Sequence, residues 1–412
     1  MAKKLKASSA IFLLILFTVG GTSFAQRPGT LERPHLKWLL NQQVPNEVVP
    51  YPINGRSGLV LSYSIPQAVP TRAGFFDLAY IYDNALAAIA FTLSGKFDEA
   101  KNILSALAGL VDTEGKLGVS YNTMSSGFDL TFRTGPIAWV GYAFVFYMRA
   151  ASDDQFQGTA TKIADWVLTM QDGVNGSVKG GLNAEWFSTE DNIAAFFFFR
   201  DIGLYTRNQT YLQAAGKIRR SLLTNHWNND YRCFQAGIGN DAKLLHAASW
   251  GALFALSIEQ PQRALACLRF IERNFKAEVT RKIRDKEMKI LGYKPKAGEE
   301  VNFVWSEGSL GVALAHKRVK NWEKFLQIVL NMEKMRGPKG GILYAFPAVQ
   351  NFPAWESVAG TAWIIIFNAK HQWAFWSGPL KRQQQLEATS GVESINRDVT
   401  SSSRTEKSGK TR

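Results

Sequence analysis

The chain has 412 residues, of which 46% are hydrophobic and 12% aromatic, enough to bury a large core as one big domain or two ordinary ones. This composition excludes intrinsic disorder over most of the length. The formal net charge of +14 favours anionic partners without selecting among acidic polysaccharide, cell envelope and nucleic acid. Cys233 and Cys267 are the only cysteines, which excludes a disulfide framework, and the apolar pattern around Cys267 favours two buried free thiols.

Residues 1–25 have the layout of a cleavable secretory signal. Three lysines precede the apolar run AIFLLILFTVGG, and Ser-Phe-Ala then offers small residues for cleavage. The run is too short for a comfortable membrane span, and no later stretch of 18 or more apolar residues occurs. We therefore expect a soluble mature protein, exported to the periplasm or secreted, with a charge of +11 once the three lysines are removed.

Helical pairs recur along the rest of the chain at a spacing of roughly 50 to 60 residues. In chain order the first five pairs are YIYDNALAAIAFTLSG with KFDEAKNILSALAGL, GPIAWVGYAFVFYMRAASD with QFQGTATKIADWVLTMQD, STEDNIAAFFFFRDIGLYTRN with QTYLQAAGKIRRSLLTNHW, LLHAASWGALFALSIEQ with PQRALACLRFIERNF, and WSEGSLGVALAHKRVKN with WEKFLQIVLNMEKMRG. A sixth pair opens with WESVAGTAWIIIFNAKHQ, and the N-terminal helix around LERPHLKWLLNQQ could supply its partner.

Within each pair the first helix is apolar nearly all round, whereas the second is amphipathic. The first kind is typical of a buried helix and the second of a helix that covers it. Six inner helices ringed by six outer ones predict an all-α fold, an (α/α)6 toroid spanning residues 26–380. An open solenoid would show the same contrast, but such arrays usually have shorter repeats of about 33 to 47 residues, so we expect the closed ring.

The segments that lead into the inner helices combine glycine with β-favouring residues, as in VNGSVKGGLNAEW and GPKGGILYAFPA. They predict short β-hairpins on one rim, and that rim should carry the function.

Two segments lie outside the ring. Residues 276–300 form a basic insertion, interpreted as a solvated helix and loop, with a lid or a site for an anionic chain as the alternative. Residues 381–412 are polar and poor in aromatics, which predicts a disordered tail.

Acidic residues stand at the predicted starts of several inner helices. The candidate catalytic carboxylates are Asp83, Glu190, Glu307 and Glu356. Acids also favour helix N-termini for structural reasons. That explanation fits Asp191, because Ser188-x-x-Asp191 matches a capping box. It fits Glu307 less well, since Glu307 directly follows Ser306 and no reciprocal capping bond is available there.

The order of hairpins around the ring predicts which of these acids are neighbours. Hairpin six closes beside hairpin one, which places Asp83, Glu356 and Glu307 on three consecutive positions. Neighbouring helices pack about 8 to 10 Å apart. Such spacing could bring two carboxylates to the roughly 6.5 to 9.5 Å separation of an inverting glycosidase pair. Glu190 would face them across the funnel and remains a candidate for the acid.

Aromatic side chains at the same rim could stack on sugar rings, although any one of them could instead belong to the core. The candidate substrate-binding residues are Trp139, Trp186, Trp250, Trp305, Trp355, Tyr82, Tyr121 and His246. His246 is the only histidine at a predicted inner-helix start, which weakens epimerase and lyase mechanisms that depend on histidine. Scattered histidines and the lack of a cysteine cluster predict no metal site, and no motif predicts another cofactor.

The segments YDNALAAIAF, GPIAWVGYAF, WFSTEDNIAAFFFF and WSEGSLGVAL resemble exported bacterial members of the six-hairpin glycosidase superfamily, over roughly Leu31 to Trp376. Relatives often have Ser-Thr-Glu-His-Asn where this chain has Asp191 in place of the histidine, so a group that could orient Glu190 is missing. The resemblance implies an (α/α)6 toroid with a carbohydrate funnel and, in most members, hydrolysis by inversion. The superfamily also contains phosphorylases, lyases and epimerases, so the fold does not fix the reaction.

The leading hypothesis is therefore an exported, inverting glycoside hydrolase acting on a polysaccharide or oligosaccharide, with carbohydrate rather than nucleic acid as its partner. Glu190 or Glu307 would act as general acid, with a raised pKa, and Asp83 or Glu356 as base. One alternative is a non-catalytic protein that binds polysaccharide or assists its biosynthesis. Another is a lyase on an acidic polysaccharide, which the positive charge would suit. A pair of funnel carboxylates within about 10 Å would favour hydrolysis.

Overall fold

The computed structural model describes residues 32–69 and 74–368. The predicted signal segment 1–25 and the predicted tail 381–412 lie outside this range. The helices are α1 (Glu32–Asn41), α2 (Ile81–Leu93), α3 (Phe97–Leu110), α4 (Thr134–Ala151), α5 (Gln157–Thr169), α6 (Thr189–Thr206), α7 (Gln209–Thr224), α8 (Leu245–Ser257), α9 (Pro261–Asn274), α10 (Ser306–Arg318), α11 (Trp322–Glu333) and α12 (Val358–Asn368).

The helices form a closed double ring. Helices α2, α4, α6, α8, α10 and α12 each pack against the next, and α12 packs against α2, which excludes the open solenoid. The second helix of each pair packs outside the first, and α1 packs on α12 to complete the sixth pair. The predicted (α/α)6 toroid is confirmed.

Burial follows the two hydrophobic patterns of the sequence. In the inner helix α6, every residue from Asn192 to Phe199 is buried, because the helix is surrounded by its partner and both ring neighbours. The outer helix α9 instead buries one stripe that includes Ala264, Cys267 and Ile271 and exposes its charged face. Both cysteines are buried and free, as the sequence indicated. No helix among the described residues is both long enough and apolar enough to cross a membrane.

Short antiparallel strands tie the rim together. The strands are β1 (Tyr63–Ser64), β2 (Leu78–Tyr80), β3 (Ser120–Asn122), β4 (Trp227–Asn228), β5 (Cys233–Phe234), β6 (Lys276–Ile283), β7 (Lys286–Tyr293), β8 (Val304–Trp305), β9 (Ile342–Leu343), β10 (Ala345–Phe346) and β11 (Glu356–Ser357). Only β4 with β5 and β6 with β7 are local hairpins. The pairings of β2 with β3, β8 with β10 and β1 with β11 link one connection to another, whereas β9 and β11 pair within the connection from α11 to α12.

The basic insertion at 276–300 is a β-hairpin rather than the expected helix and loop. Strands β6 and β7 pair in continuous register from Lys276 opposite Tyr293 to Ile283 opposite Lys286. Ala277 and Val279 are buried, whereas Lys276, Glu278 and Thr280 are exposed. That alternation has the two-residue period of a β-strand. It was not recognised in the sequence because charged residues outnumber apolar ones in this segment.

Candidate active site

Four inner helices begin with the same polar clamp. A side chain in the first turns accepts a hydrogen bond from the N–H of a rim segment and donates one to the carbonyl four residues before it. The clamp residues are Asn84 on α2, Asn192 on α6, Ser309 on α10 and Thr361 on α12. The clamp fixes both the height and the rotation of each helix start.

The residue two positions before the clamp faces the centre of the ring. On α2, α6 and α10 this residue is Tyr82, Glu190 and Glu307, and all three line one cavity of about 290 Å³. On α12 the equivalent residue is Ala359, which carries no polar group. The remaining lining residues are Gly135, Pro136, Trp139, Asp191, Ala194, His246, Trp250, Trp305 and Tyr344.

Glu307 is the most enclosed acid of the cavity. Only 4% of it is exposed, and the Tyr82 hydroxyl donates a 2.6 Å hydrogen bond to its Oε1. Burial raises the pKa of the Glu307 carboxyl above its ordinary value, although the nearby His246 and the bond from Tyr82 act in the opposite direction. A buried carboxyl of this kind can hold a proton at a pH where an exposed one has lost it.

His246 lies between the two glutamates. Its Nε2 is 3.8 Å from Glu307 Oε1 and its Nδ1 is 3.8 Å from Glu190 Oε2. Since both nitrogens belong to one small ring, the two oxygens are at most about 10 Å apart. The imidazole is stacked on Trp250 with centroids 4.3 Å apart and contacts Trp305 at 4.4 Å. Trp250 and Trp305 therefore hold the His246 imidazole in place next to both glutamates.

Glu190 and Asp191 are adjacent but differ in environment. The Glu190 side chain is 33% exposed, so water can reach it. The Asp191 N–H donates to Ser188 Oγ at 3.0 Å, so Ser188 caps α6 and forms one of the two bonds of the predicted capping box. Its carboxylate also lines the cavity, against Gly135 of the neighbouring helix, where a Cβ would come within 2.0 Å of Oδ1. Burial, reinforced by Glu190, raises the pKa of Asp191 to about 7.

Asp83 does not line the cavity, although its neighbour Tyr82 does. It is 6% exposed, and burial raises its pKa to about 7, with Glu307 adding to the shift. Its position on α2 matches that of Asp191 on α6.

Glu356 also lies outside this cavity. It belongs to strand β11, two residues before α12 begins. Its Oε1 accepts hydrogen bonds from the N–H groups of Lys339, Gly340 and Gly341 at 2.9, 3.0 and 3.1 Å. The carboxylate therefore holds a rim loop in place. Of the expected group of acids on hairpins five, six and one, Asp83 and Glu307 lie close enough to interact, whereas Glu356 is apart from them. The cavity itself brings Glu307 together with Glu190.

The candidate aromatic residues divide in the same way. Trp139, Trp250, Trp305 and Tyr82 line the cavity, as does Tyr344, which the sequence interpretation missed because it lies in a rim strand connection rather than on a helix. Three others do not line it. Trp355 packs edge-on against Tyr63, Tyr121 stacks on Phe128, and Trp186 lies under the Arg133 guanidinium.

The donor set of the cavity suits acid–base chemistry. It combines three carboxylates, one imidazole and indole and phenol rings. Over residues 32–69 and 74–368 no three His, Cys, Asp or Glu side chains cluster as metal ligands would.

Solved structures with a similar fold include several glycosidases. No protein-family model matches the chain, and no curated protein does. A glycosidase in complex with glucose matches with a TM-score of 0.61 at 11% identity, over 83% of this chain and 97% of that one. A family 76 mannosidase from Bacteroides thetaiotaomicron gives 0.55 at 9%, over 83% and 97%. An α-amylase from Clostridium perfringens gives 0.57 at 9%, over 82% and 97%.

The chain thus shares its (α/α)6 fold with these glycosidases. At such low identity the likeness concerns the fold, and the reaction has to be argued from the site.

Proposed function

We propose that the protein is a glycoside hydrolase that acts by inversion, with Glu307 as general acid and Glu190 as general base. The observation that carries this proposal is the pair of carboxylates on opposite sides of His246, within about 10 Å of each other in an aromatic-lined cavity. A non-catalytic binding protein would need the aromatic rings but not the two spaced acids.

The roles follow from the two environments. Burial raises the pKa of Glu307, which suits a group that must deliver a proton. Glu190 is one-third exposed and can hold a water molecule. Glu307 protonates the glycosidic oxygen as the bond from that oxygen to the anomeric carbon breaks. Glu190 takes a proton from the water whose oxygen bonds to the opposite face of that carbon, so the released sugar has inverted configuration.

The aromatic rings position the sugar for this step. Sugars present apolar faces that pack on indole and phenol rings, and Trp139, Trp250 and Trp305 supply such rings around the acids. The cavity volume of about 290 Å³ is at the lower end of the range for ligand pockets. A cavity of this size suits the single sugar unit at the point of cleavage. Fixing that unit between the two acids removes much of the entropic cost of the reaction.

The test is a polysaccharide and oligosaccharide panel assayed for reducing sugar, with Glu307→Gln, Glu190→Gln and the exposed rim control Glu185→Gln. Glutamine keeps the shape of each side chain and removes its acid–base function. We expect both cavity variants to fold and to lose at least 100-fold of the wild-type rate, while Glu185→Gln keeps it. The anomer first released is read by NMR.

Full activity in both cavity variants would refute the assignment of the acids, and a retained anomer would refute inversion. Unsaturated products absorbing in the ultraviolet would favour the lyase alternative. Glycan binding without any turnover would favour the binding-protein alternative.

We also propose that the protein is exported. The support is the arrangement of lysines, apolar run and small residues in 1–25. Fractionation of expressing cells, with mass analysis of the N-terminus, tests it, and uncleaved protein confined to the cytoplasm would contradict it.

A further inference from the structure

Arg133 stands at the edge of the cavity. It is the residue immediately before α4, and the helix it precedes contributes Gly135 and Pro136 to the cavity wall. Its guanidinium lies over the Trp186 ring, 5.1 Å from the ring centre. It is also close enough to Asp191, another wall residue, to affect the pKa of that carboxyl. A cation is therefore held beside the wall of the cavity that contains the proposed catalytic acids.

Within the described ranges the Arg133 charge acts on Asp191 from a distance but is not held in a close ion pair. No carboxylate there forms an ion pair with it, and the first turn of α4 contains no acidic residue. The N-terminal end of a helix carries a partial positive charge, so a cation there is unfavourable unless an anion arrives. The side chain is exposed and so can meet a ligand directly.

The Trp186 ring beneath the guanidinium packs against the backbone of its own loop. The Trp186 ring lies against Gly180, where any Cβ would come within 2.0 Å of the indole. The Gly180 N–H donates to the Trp186 carbonyl at 3.0 Å, and Arg133 is bridged to Gly181. A guanidinium stacked on an aromatic ring keeps its outward N–H groups free to bind a carboxylate in bidentate geometry.

We propose that Arg133, supported by Trp186, binds the carboxylate of an acidic sugar, so that the substrate is a uronic-acid-containing glycan. This inference rests on the proposed function for its site but concerns recognition, not the chemical step. The charge of +11 outside the first 25 residues would attract the same polyanionic class of substrate.

The experiment measures binding, which does not require turnover. Tetrasaccharides of galacturonate, glucuronate and mannuronate are each compared with their methyl esters by calorimetry at physiological ionic strength. The proteins are the wild type, Arg133→Gln and Arg220→Gln, the last removing the same charge from the outer helix α7. We expect at least one acid to bind wild type roughly tenfold more tightly than its ester. Arg133→Gln should lose that preference and Arg220→Gln should keep it.

Equal binding of acid and ester in every pair, binding of neither, or a preference that survives Arg133→Gln would overturn the inference. The two proposals can fail separately. An Arg133-dependent preference without hydrolysis would leave the recognition site standing and remove the hydrolase. Hydrolysis of neutral glycans that is unaffected by Arg133→Gln would leave the hydrolase standing and remove the recognition site.

Discussion

Removing the hydroxyl of Tyr82 tests which step Glu307 performs. In the wild type this hydroxyl donates a 2.6 Å hydrogen bond to Glu307 Oε1 and so stabilises the charged carboxylate. A hydrogen bond to a charged group contributes about 1.5 to 3 kcal/mol, and one pKa unit corresponds to about 1.4 kcal/mol. Tyr82→Phe should therefore raise the pKa of Glu307 by about one to two units.

The sign of the effect on activity follows from the role of Glu307. A general acid works in its protonated form, so a higher pKa extends activity to higher pH. We expect the alkaline limb of the kcat/KM profile to move up by about one to two pH units, while the acidic limb stays in place. The matched control is Tyr211→Phe, which removes an equally short hydrogen bond to Asp165 between outer helices and should move neither limb.

Two other outcomes would refute this reasoning. If the acidic limb moves up instead, Glu307 is the base and the roles of the two glutamates are exchanged. If neither limb moves in an active Tyr82→Phe variant, the titration of Glu307 does not control the reaction.

Further predictions concern the packing around the site. Gly135→Ala should push Asp191 away and displace the start of α6, because the added methyl would lie 2.0 Å from Asp191 Oδ1. We expect kcat/KM to fall at least tenfold. The control Gly158→Ala on α5, where the added methyl enters open space, should keep full activity. Glu356→Ala should lower the free energy of unfolding in urea by about 2 to 4 kcal/mol, because the three amides of loop 339–341 lose their acceptor. Glu356→Gln keeps an acceptor and should retain most activity, and its inactivation without loss of stability would restore Glu356 as a catalytic candidate.

The ring was predictable because its signal is spread over many residues. Twelve segments had to be apolar all round or on one face, and an error in any one would not have changed the architecture. The β-hairpin at 276–300 was not predicted because its alternation rests on few apolar positions, Ala277 and Val279 among them, within a charged segment.

The site was harder to predict because side-chain direction depends on where each helix begins. Each residue along an α-helix turns the side chain by about 100°, so an error of one or two positions points it elsewhere. The sequence interpretation placed Glu356 at the start of an inner helix, whereas α12 begins two residues later, at Val358. Asp83 was placed on the correct helix, but its neighbour Tyr82 is the one that faces the cavity.

The directions of these side chains follow a pattern that recurs from helix to helix in the structure. The facing residue stands two positions before a polar clamp, as Glu190 does before Asn192 and Glu307 before Ser309. The clamp residue is Asn, Ser or Thr from helix to helix, and its function is visible only once its two backbone partners are known.

The contact between Tyr82 and Glu307 joins residues 225 positions apart in the chain. Between their two helices stands α12, whose Trp363 indole N–H donates to the Tyr82 hydroxyl at 3.4 Å. The hydrogen bond that lowers the pKa of Glu307 therefore depends on the packing of three inner helices, with α12 between α10 and α2.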